Sequence, residues 1–288
     1  QQPEVEYAQP DRLKKIRVVP NDALFGQQWY LQNSQTAAIN ALAAWDSTIG
    51  SPVVNVAVID TGIRAGHPDL ANRLLPGFDF VSDLNQAADG DGWDNDPSDP
   101  GDGLTAQDLA TADLSGCGAG SNGNTPVNSS WHGTKVAGIV AAQGNNATGI
   151  SGVGWDLRVV PVRALGKCGG RDSDIIAAMR WAAGIEVKGA PLNPHPAKII
   201  NLSLGGQNSC SRAFSDSVAD VIAAGALVVA AGGNSTGPVE EPGNCPNVLA
   251  VAGVRHEGNK VGYSSYGSQV GISAPAGNCV NETGTCLF

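Results

Sequence analysis

From Pro52 onward, short runs rich in Val and Ile alternate with stretches whose apolar residues return at helical spacing. Val53 to Ile59, Arg158 to Leu165, Lys198 to Leu204, Leu227 to Ala231 and Val248 to Val254 read as buried strands. Between them, Trp131 to Gln143, Ser173 to Val187 and Arg212 to Ala224 read as helices, and a first regular helix is expected around Thr36 to Trp45. Strands alternating with helices predict an α/β fold, a doubly wound parallel sheet with helices on both faces. In such sheets functional residues gather where the carboxyl ends of the strands meet loops.

Two segments break this rhythm. Val81 to Pro126 is built from Asp, Gly, Asn and Pro and is longer than structureless connections usually run. Gln1 to Val19 carries charges and two prolines ahead of the first helix, and the chain has no internal repeat.

Composition narrows the function. A chain of 288 residues with 42% apolar content can bury one large core, and no apolar run is long enough to span a bilayer. A net charge of −10 argues against nucleic-acid binding. Much of that charge is local, because Asp83, Asp89, Asp91, Asp94, Asp96, Asp99 and Asp102 crowd one stretch. Like charges at that density stay solvated or are neutralised by a cation. The six cysteines (Cys117, Cys168, Cys210, Cys245, Cys279 and Cys286) include no CxxC pair. They disfavour structural zinc and fit three disulfides in an oxidising compartment, with fifteen connectivities open.

Three residues carry candidate chemistry. Asp60 closes the first strand in Val-Ala-Val-Ile-Asp-Thr-Gly, where a partly desolvated carboxylate needs a partner. His132 lies in Asn-Ser-Ser-Trp-His-Gly-Thr, with serines that look like a helix start and a glycine that allows close approach. An imidazole there, facing a strand-end carboxylate, is a general base held in one tautomer. Asn234 follows a strand in Ala-Ala-Gly-Gly-Asn, where an amide can donate to a developing oxyanion. Asn201 to Gly206 likewise ends a strand in glycines. His67, His195 and His256 sit in turns and loops and are read as structural.

Taken together, the order and local context of these motifs from Pro20 to the chain end resemble the subtilisin (subtilase) family. The resemblance implies a secreted serine endopeptidase in which Asp60 orients, His132 is the base and Asn234 is the oxyanion donor. It implies that Ser203, Leu204 and Gly205 face Ala231, Gly232 and Gly233 as walls of the pocket for the residue preceding the scissile bond (P1). Glu240 is its expected floor residue, with Glu241 as the alternative, and a carboxylate there would attract Lys or Arg; the competing reading has both glutamates facing solvent and a broad preference for large apolar residues. Gly169 and Gly170 are expected on a strand that pairs with substrate backbone.

The family's nucleophile lies in a Gly-Thr-Ser-Met-Ala-like turn after an Ala-Pro-Gly-like segment. Ala274-Pro275-Ala276-Gly277 matches that segment, Ser273 precedes it, and the serine is therefore expected beyond Phe288. On this reading residues 20–288 are a partial catalytic domain, inactive alone. Val5 to Asp11 resembles the last strand of the family's inhibitory propeptide, so residues 1–19 are expected to be a propeptide tail or an N-terminal extension. Expected partners are a protein or peptide substrate and the chain's own propeptide, with no nucleic acid, no membrane and a monomeric state.

Calcium is the expected cofactor. Asp89, Asp91, Asp94 and Asp96 recur between glycines, a hard-oxygen set suited to calcium. By resemblance alone, a second site joins Asp22 and Asp69 to Gln143, Asn146, Thr148 and Ile150. The favoured disulfides are Cys117–Cys168 beside the substrate strand, Cys210–Cys245 near the specificity pocket and Cys279–Cys286 closing a short turn. The competing function is a catalytically inactive protein that keeps the peptide groove. A nucleotide-binding reading of Gly116 to Gly120 fails, because that stretch follows no strand and opens no helix.

Overall fold

In the first strand, β1 (Asn55–Asp60), Ala57 and Ile59 point to one apolar cluster and Val58 to another. All of β1 after Asn55 is buried, which is why it reads as a continuous apolar run instead of an alternating one. The computed structural model describes Tyr7, Gln9, Pro10 and residues 19–277. The further strands are β2 (Phe78–Asp79), β3 (Arg158–Arg163), β4 (Ile199–Leu202), β5 (Leu227–Ala231), β6 (Leu249–Val254) and β7 (Val270–Pro275). They form one sheet in the order β2-β3-β1-β4-β5-β6-β7, and every pairing is parallel.

Among the described residues six α-helices interleave with the strands: α1 (Ala41–Trp45), α2 (Leu84–Ala87), α3 (Ala106–Leu109), α4 (His132–Ala141), α5 (Asp172–Ala182) and α6 (Arg212–Ala223). On one face, Ile175, Ala178 and Met179 of α5 and Phe214, Val218 and Val221 of α6 pack on Ala57, Ile59, Val160 and Val162. On the other, Ala137 and Ala141 of α4 cover Val58 and Val159. The expected layers are therefore present. Among the described residues no helix is long and apolar enough to cross a membrane.

The acidic segment is folded. It contains α2 and α3, an antiparallel bridge between Leu104 and Val127, and an apolar cluster of Leu104, Leu109 and Leu114. Thr105 and Asp108 form a reciprocal capping box on α3. Beneath the segment, the buried Arg163 guanidinium binds Asp79, Asp89 and the Ala87 carbonyl. Cys117 bonds to Cys168 and Cys210 to Cys245, as favoured, with Cα separations of 5.2 and 5.0 Å. Cys279 and Cys286 lie outside the described residues.

Candidate active site

Asp60 ends β1 with no exposed surface, so its carboxylate depends wholly on protein donors. The Thr61 amide donates to Oδ1 at 2.8 Å, and His132 Nδ1 lies 2.8 and 2.9 Å from the two oxygens. A protonated Nδ1 facing a carboxylate leaves Nε2 as the acceptor nitrogen. The hydrogen bond that His132 gives to Asp60 pushes its pKa above the ordinary value, with further help from the charges of Asp60 and Asp102 against the opposing effect of burial.

His132 opens α4, but neither serine before it caps the helix. Trp131 takes the N-cap place in a left-handed conformation (φ 52°). The Ser130 hydroxyl instead accepts from the His132 amide at 3.2 Å and donates to Asp102 at 2.7 Å. Gly133 explains how the helix comes so close to β1. A Cβ there would lie 2.2 Å from the Gly62 carbonyl oxygen, and the Gly133 amide donates to Thr61 Oγ1 at 3.0 Å. The Thr61 hydroxyl in turn donates a hydrogen bond to the buried Asp99 at 2.7 Å.

A cavity of 780 Å³ opens beside the imidazole and brings together His132, Gly169, Gly170, Ser203, Leu204 and Gly205. A neighbouring recess of 250 Å³ holds Ala231, Gly232, Gly233 and Asn234 and shares Ser203 with the first. Asn234 thus lies next to the His132 cavity instead of lining it.

One expectation needs correction. Gly169 and Gly170 lie on no strand. Gly166 and Gly169 close a tight turn around Cys168, where both Cys168 (φ 71°) and Gly169 (φ 94°) are left-handed and the disulfide to Cys117 is made. Glu240, the expected floor residue, lies outside the His132 cavity, which the buried Glu241 lines. Glu240 fills the gap between the two glycine-rich strand ends, where a Cβ on Gly233 would come 2.3 Å from its carboxyl carbon. The reason is backbone pairing: Glu240 N bonds Gly232 O, while Glu241 exchanges hydrogen bonds with Gly206 and so faces the other way.

The proposed metal ligands are arranged differently at the two places. Asp22 accepts from the Asn145 and Asn146 amides and the Ser151 hydroxyl, and Asp69 accepts from Asn146 Nδ2 and the Ile150 amide. Gln143 N bonds the Asp69 carbonyl, and Thr148 N bonds Asn146 Oδ1, so Asp22 and Asp69 both meet the loop of residues 143–150. Two buried carboxylates with oxygen donors close by fit a hard cation in kind. In the acidic segment, Asp89 is drawn away to Arg163. Asp94 and Asp96 each accept a nearby backbone amide, and the charge of Asp94, followed by burial and the charges of Asp89 and Asp96, raises the pKa of the exposed Asp91. That repulsion is what a cation would relieve. The grouping of Cys210, Cys245 and Glu241 is no metal centre, because both sulfurs are in a disulfide.

Asp102 and Ser130 are site residues that the sequence did not single out. Their only signal was membership of the acidic segment and of the motif around His132.

A buried aspartate at the carboxyl end of a parallel strand, bonded to a histidine on the first turn of a facing helix beside a cavity, defines the subtilisin-type arrangement of hydrolases. The family comparison agrees: residues 52–287 match the model of the subtilase family of peptidases, and the chain belongs to that family. An extracellular protease of Xanthomonas campestris is 42% identical over 97% of this chain and 46% of its own length. An extracellular basic protease of Dichelobacter nodosus is 39% identical over 97% of this chain and 45% of its own. The chain thus spans about half the length of these curated relatives. Among solved structures, a protease of Pseudoalteromonas arctica superposes with a TM-score of 0.82 at 44% identity, over 90% of this chain and 73% of that one.

Proposed function

We propose that the protein is a secreted serine endopeptidase and that residues 20–288 form the larger part of its catalytic domain. The observation that carries this reading is the doubly bonded Asp60–His132 pair beside the cleft. Asp60 holds the imidazole with its Nδ1 proton directed inward, so Nε2 takes the proton from an attacking serine hydroxyl. The same nitrogen then gives that proton to the leaving amine. The Asn234 amide donates to the oxyanion formed in between. No Gly-Thr-Ser sequence occurs in the 288 residues, and we assign the nucleophile to chain beyond Phe288. Glu240, set between the facing glycine strand ends, gives the P1 pocket a carboxylate and with it a preference for Lys or Arg.

The extracellular names of the relatives and the two disulfides support a place outside the cell. Residues 1–19 are assigned to a propeptide that acts as inhibitor. Calcium is assigned to Asp22, Asp69, Gln143, Asn146, Thr148 and Ile150, and to Asp91, Asp94 and Asp96 with Asp89 held by Arg163. When bound it neutralises charge and takes no part in bond breaking.

The test compares the 288-residue chain with the same chain extended through a serine turn. The extended protein should hydrolyse a peptide, lose that activity to a serine-directed reagent and lose it again as His132→Ala, while the 288-residue chain is inactive. An extended protein that binds peptide without turnover would make it the inactive groove-bearing protein instead.

A further inference from the structure

Asp99 is a buried carboxylate to which the proposed chemistry gives no role. It is 5% exposed, and burying a carboxylate is costly unless its oxygens are bonded. Oδ1 accepts from the Gly101 amide at 2.8 Å and Oδ2 from the Thr61 hydroxyl at 2.7 Å. A hydroxyl has one proton and two lone pairs, so a proton committed to Asp99 leaves the Thr61 oxygen free to accept from elsewhere. The donor it meets is the Gly133 amide, at 3.0 Å. That amide lies in the first turn of α4, where backbone N–H groups have no partner within the helix. Trp131 holds the N-cap place, and its side chain makes no capping hydrogen bond. The cap of α4 is therefore supplied from the end of β1, and Asp99 sets its direction. Thr61 reaches the other partner as well, because its own amide donates to Asp60 Oδ1 at 2.8 Å. The backbone that carries Asp99 is pinned to the same strand end. The Ile63 amide donates to the Pro97 carbonyl at 3.1 Å, and a Cβ on Gly62 would lie 2.9 Å from the Asp99 nitrogen.

We propose that Asp99 is a positioning residue for the Asp60–His132 pair: by taking the Thr61 proton it makes Thr61 the N-cap of α4, and so holds His132 within hydrogen-bonding reach of Asp60. Asp99 touches neither member of the pair and acts only through Thr61. Its consequence for rate rests on the reading of that pair as catalytic, whereas its consequence for the geometry does not. The acidic segment thus contributes a carboxylate to the frame of the site, apart from any cation it binds.

Two measurements on the full 288-residue chain test this without passing through hydrolysis. Thr61→Val keeps the side-chain shape and the amide bond to Asp60 but removes the hydroxyl, and Thr61→Ser keeps the hydroxyl. Hydrogen exchange of the Gly133 amide, relative to amides further along α4, should quicken about 2- to 30-fold in Thr61→Val, the range for loss of an N-cap side chain, and stay native in Thr61→Ser. The pH midpoint of the His132 ring protons should fall in Thr61→Val, which alters no charge, and recover in Thr61→Ser. Asp99→Ala should act in the same direction on both readouts, and the double variant should add little, because two residues in one hydrogen-bonded unit are coupled. Where Asp99→Ala does not fold, Asp99→Asn replaces it, since its single oxygen cannot serve both the Gly101 amide and the Thr61 hydroxyl. Asp174→Asn is the control for destabilisation alone. Asp174 is also a buried carboxylate bonded to an amide and a hydroxyl, both of Ser82, yet it lies on α5 away from the pair, and its loss should move neither readout. A native midpoint in Thr61→Val, or fully additive effects of the Thr61 and Asp99 changes, overturns the proposal. In the serine-extended enzyme Thr61→Val should lower kcat with KM little changed. An extended enzyme without turnover in any form would overturn the protease reading alone, with the titration result still standing.

Discussion

Replacing Gly133 with alanine tests whether the Asp60–His132 pair depends on the close approach of α4 to β1. The added methyl would lie 2.2 Å from the Gly62 carbonyl oxygen and 3.1 Å from Asp60 Cβ, and the first of these is backbone that cannot rotate away. Ordinary contact begins near 3.4 Å, so α4 must retreat or tilt. A retreat of about 1 Å is enough to break a 2.8 Å hydrogen bond and, at a catalytic group, to cost about 100-fold in rate. Overpacking should also destabilise the fold by about 1–3 kcal/mol. The direct assay is the pH titration of the His132 ring protons in the 288-residue chain. In the native protein the midpoint lies above the ordinary imidazole value because Asp60 bonds the ring, and in Gly133→Ala it should fall. The control is Gly138→Ala in the same helix, where the new methyl meets only Ile150 Cδ1 at an ordinary 3.5 Å. That change should leave the midpoint alone and stabilise the helix by about 0.5–1 kcal/mol. An unshifted midpoint in Gly133→Ala, with native stability, would refute the reasoning.

Asp102→Asn removes a negative charge that helps hold the His132 pKa up. If His132 is the base proposed above, it acts as neutral imidazole and activity rises as pH climbs through that pKa, so the acid limb of kcat/KM in the serine-extended enzyme should move to lower pH; an unmoved limb counts against the coupling. Arg163→Met leaves Asp79 buried without its cation, and denaturant unfolding should show a loss of about 3–5 kcal/mol. A chelator should lower the melting temperature, since an ion bound only by the folded form stabilises it by mass action. An unchanged melting curve would argue against calcium on both loops.

The central strands and covering helices were legible because burial on both faces leaves an unbroken apolar run in β1 and β3. β7 was missed because it is half-exposed, with Ile272 at 55% exposure, and so has no such run. β2 is only two residues long. The acidic segment read as loop because its order comes from three separated leucines, a capping box and a disulfide, none of which makes a periodic pattern. Asp60 and His132 were legible from local sequence, since strand end and helix start fix where each side chain projects. Glu240 and Glu241 were not separable, because one residue's step reverses the side of the chain and only the pairing with Gly232 and Gly206 decides it. The pairing of Asp89 with Arg163 was likewise not legible, because Arg163 is remote in sequence.

The strand order carries a consequence for how the protein is made. β1 sits between β3 and β4, both of which leave the ribosome long after it, so the strand bearing Asp60 has no hydrogen-bonded neighbour while α4 is being synthesised. Parallel pairings of this kind need long loops to close before they are rewarded, and they form late. Asp60 can be buried, and the imidazole fixed against it, only after Val159 to Arg163 have docked on one side and Ile199 to Leu202 on the other. A nascent chain therefore carries both residues without their mutual alignment, and the machinery cannot arise in any fragment that ends before β4. The late pairing of Asp60 with His132 is thus a property of the sheet's wiring.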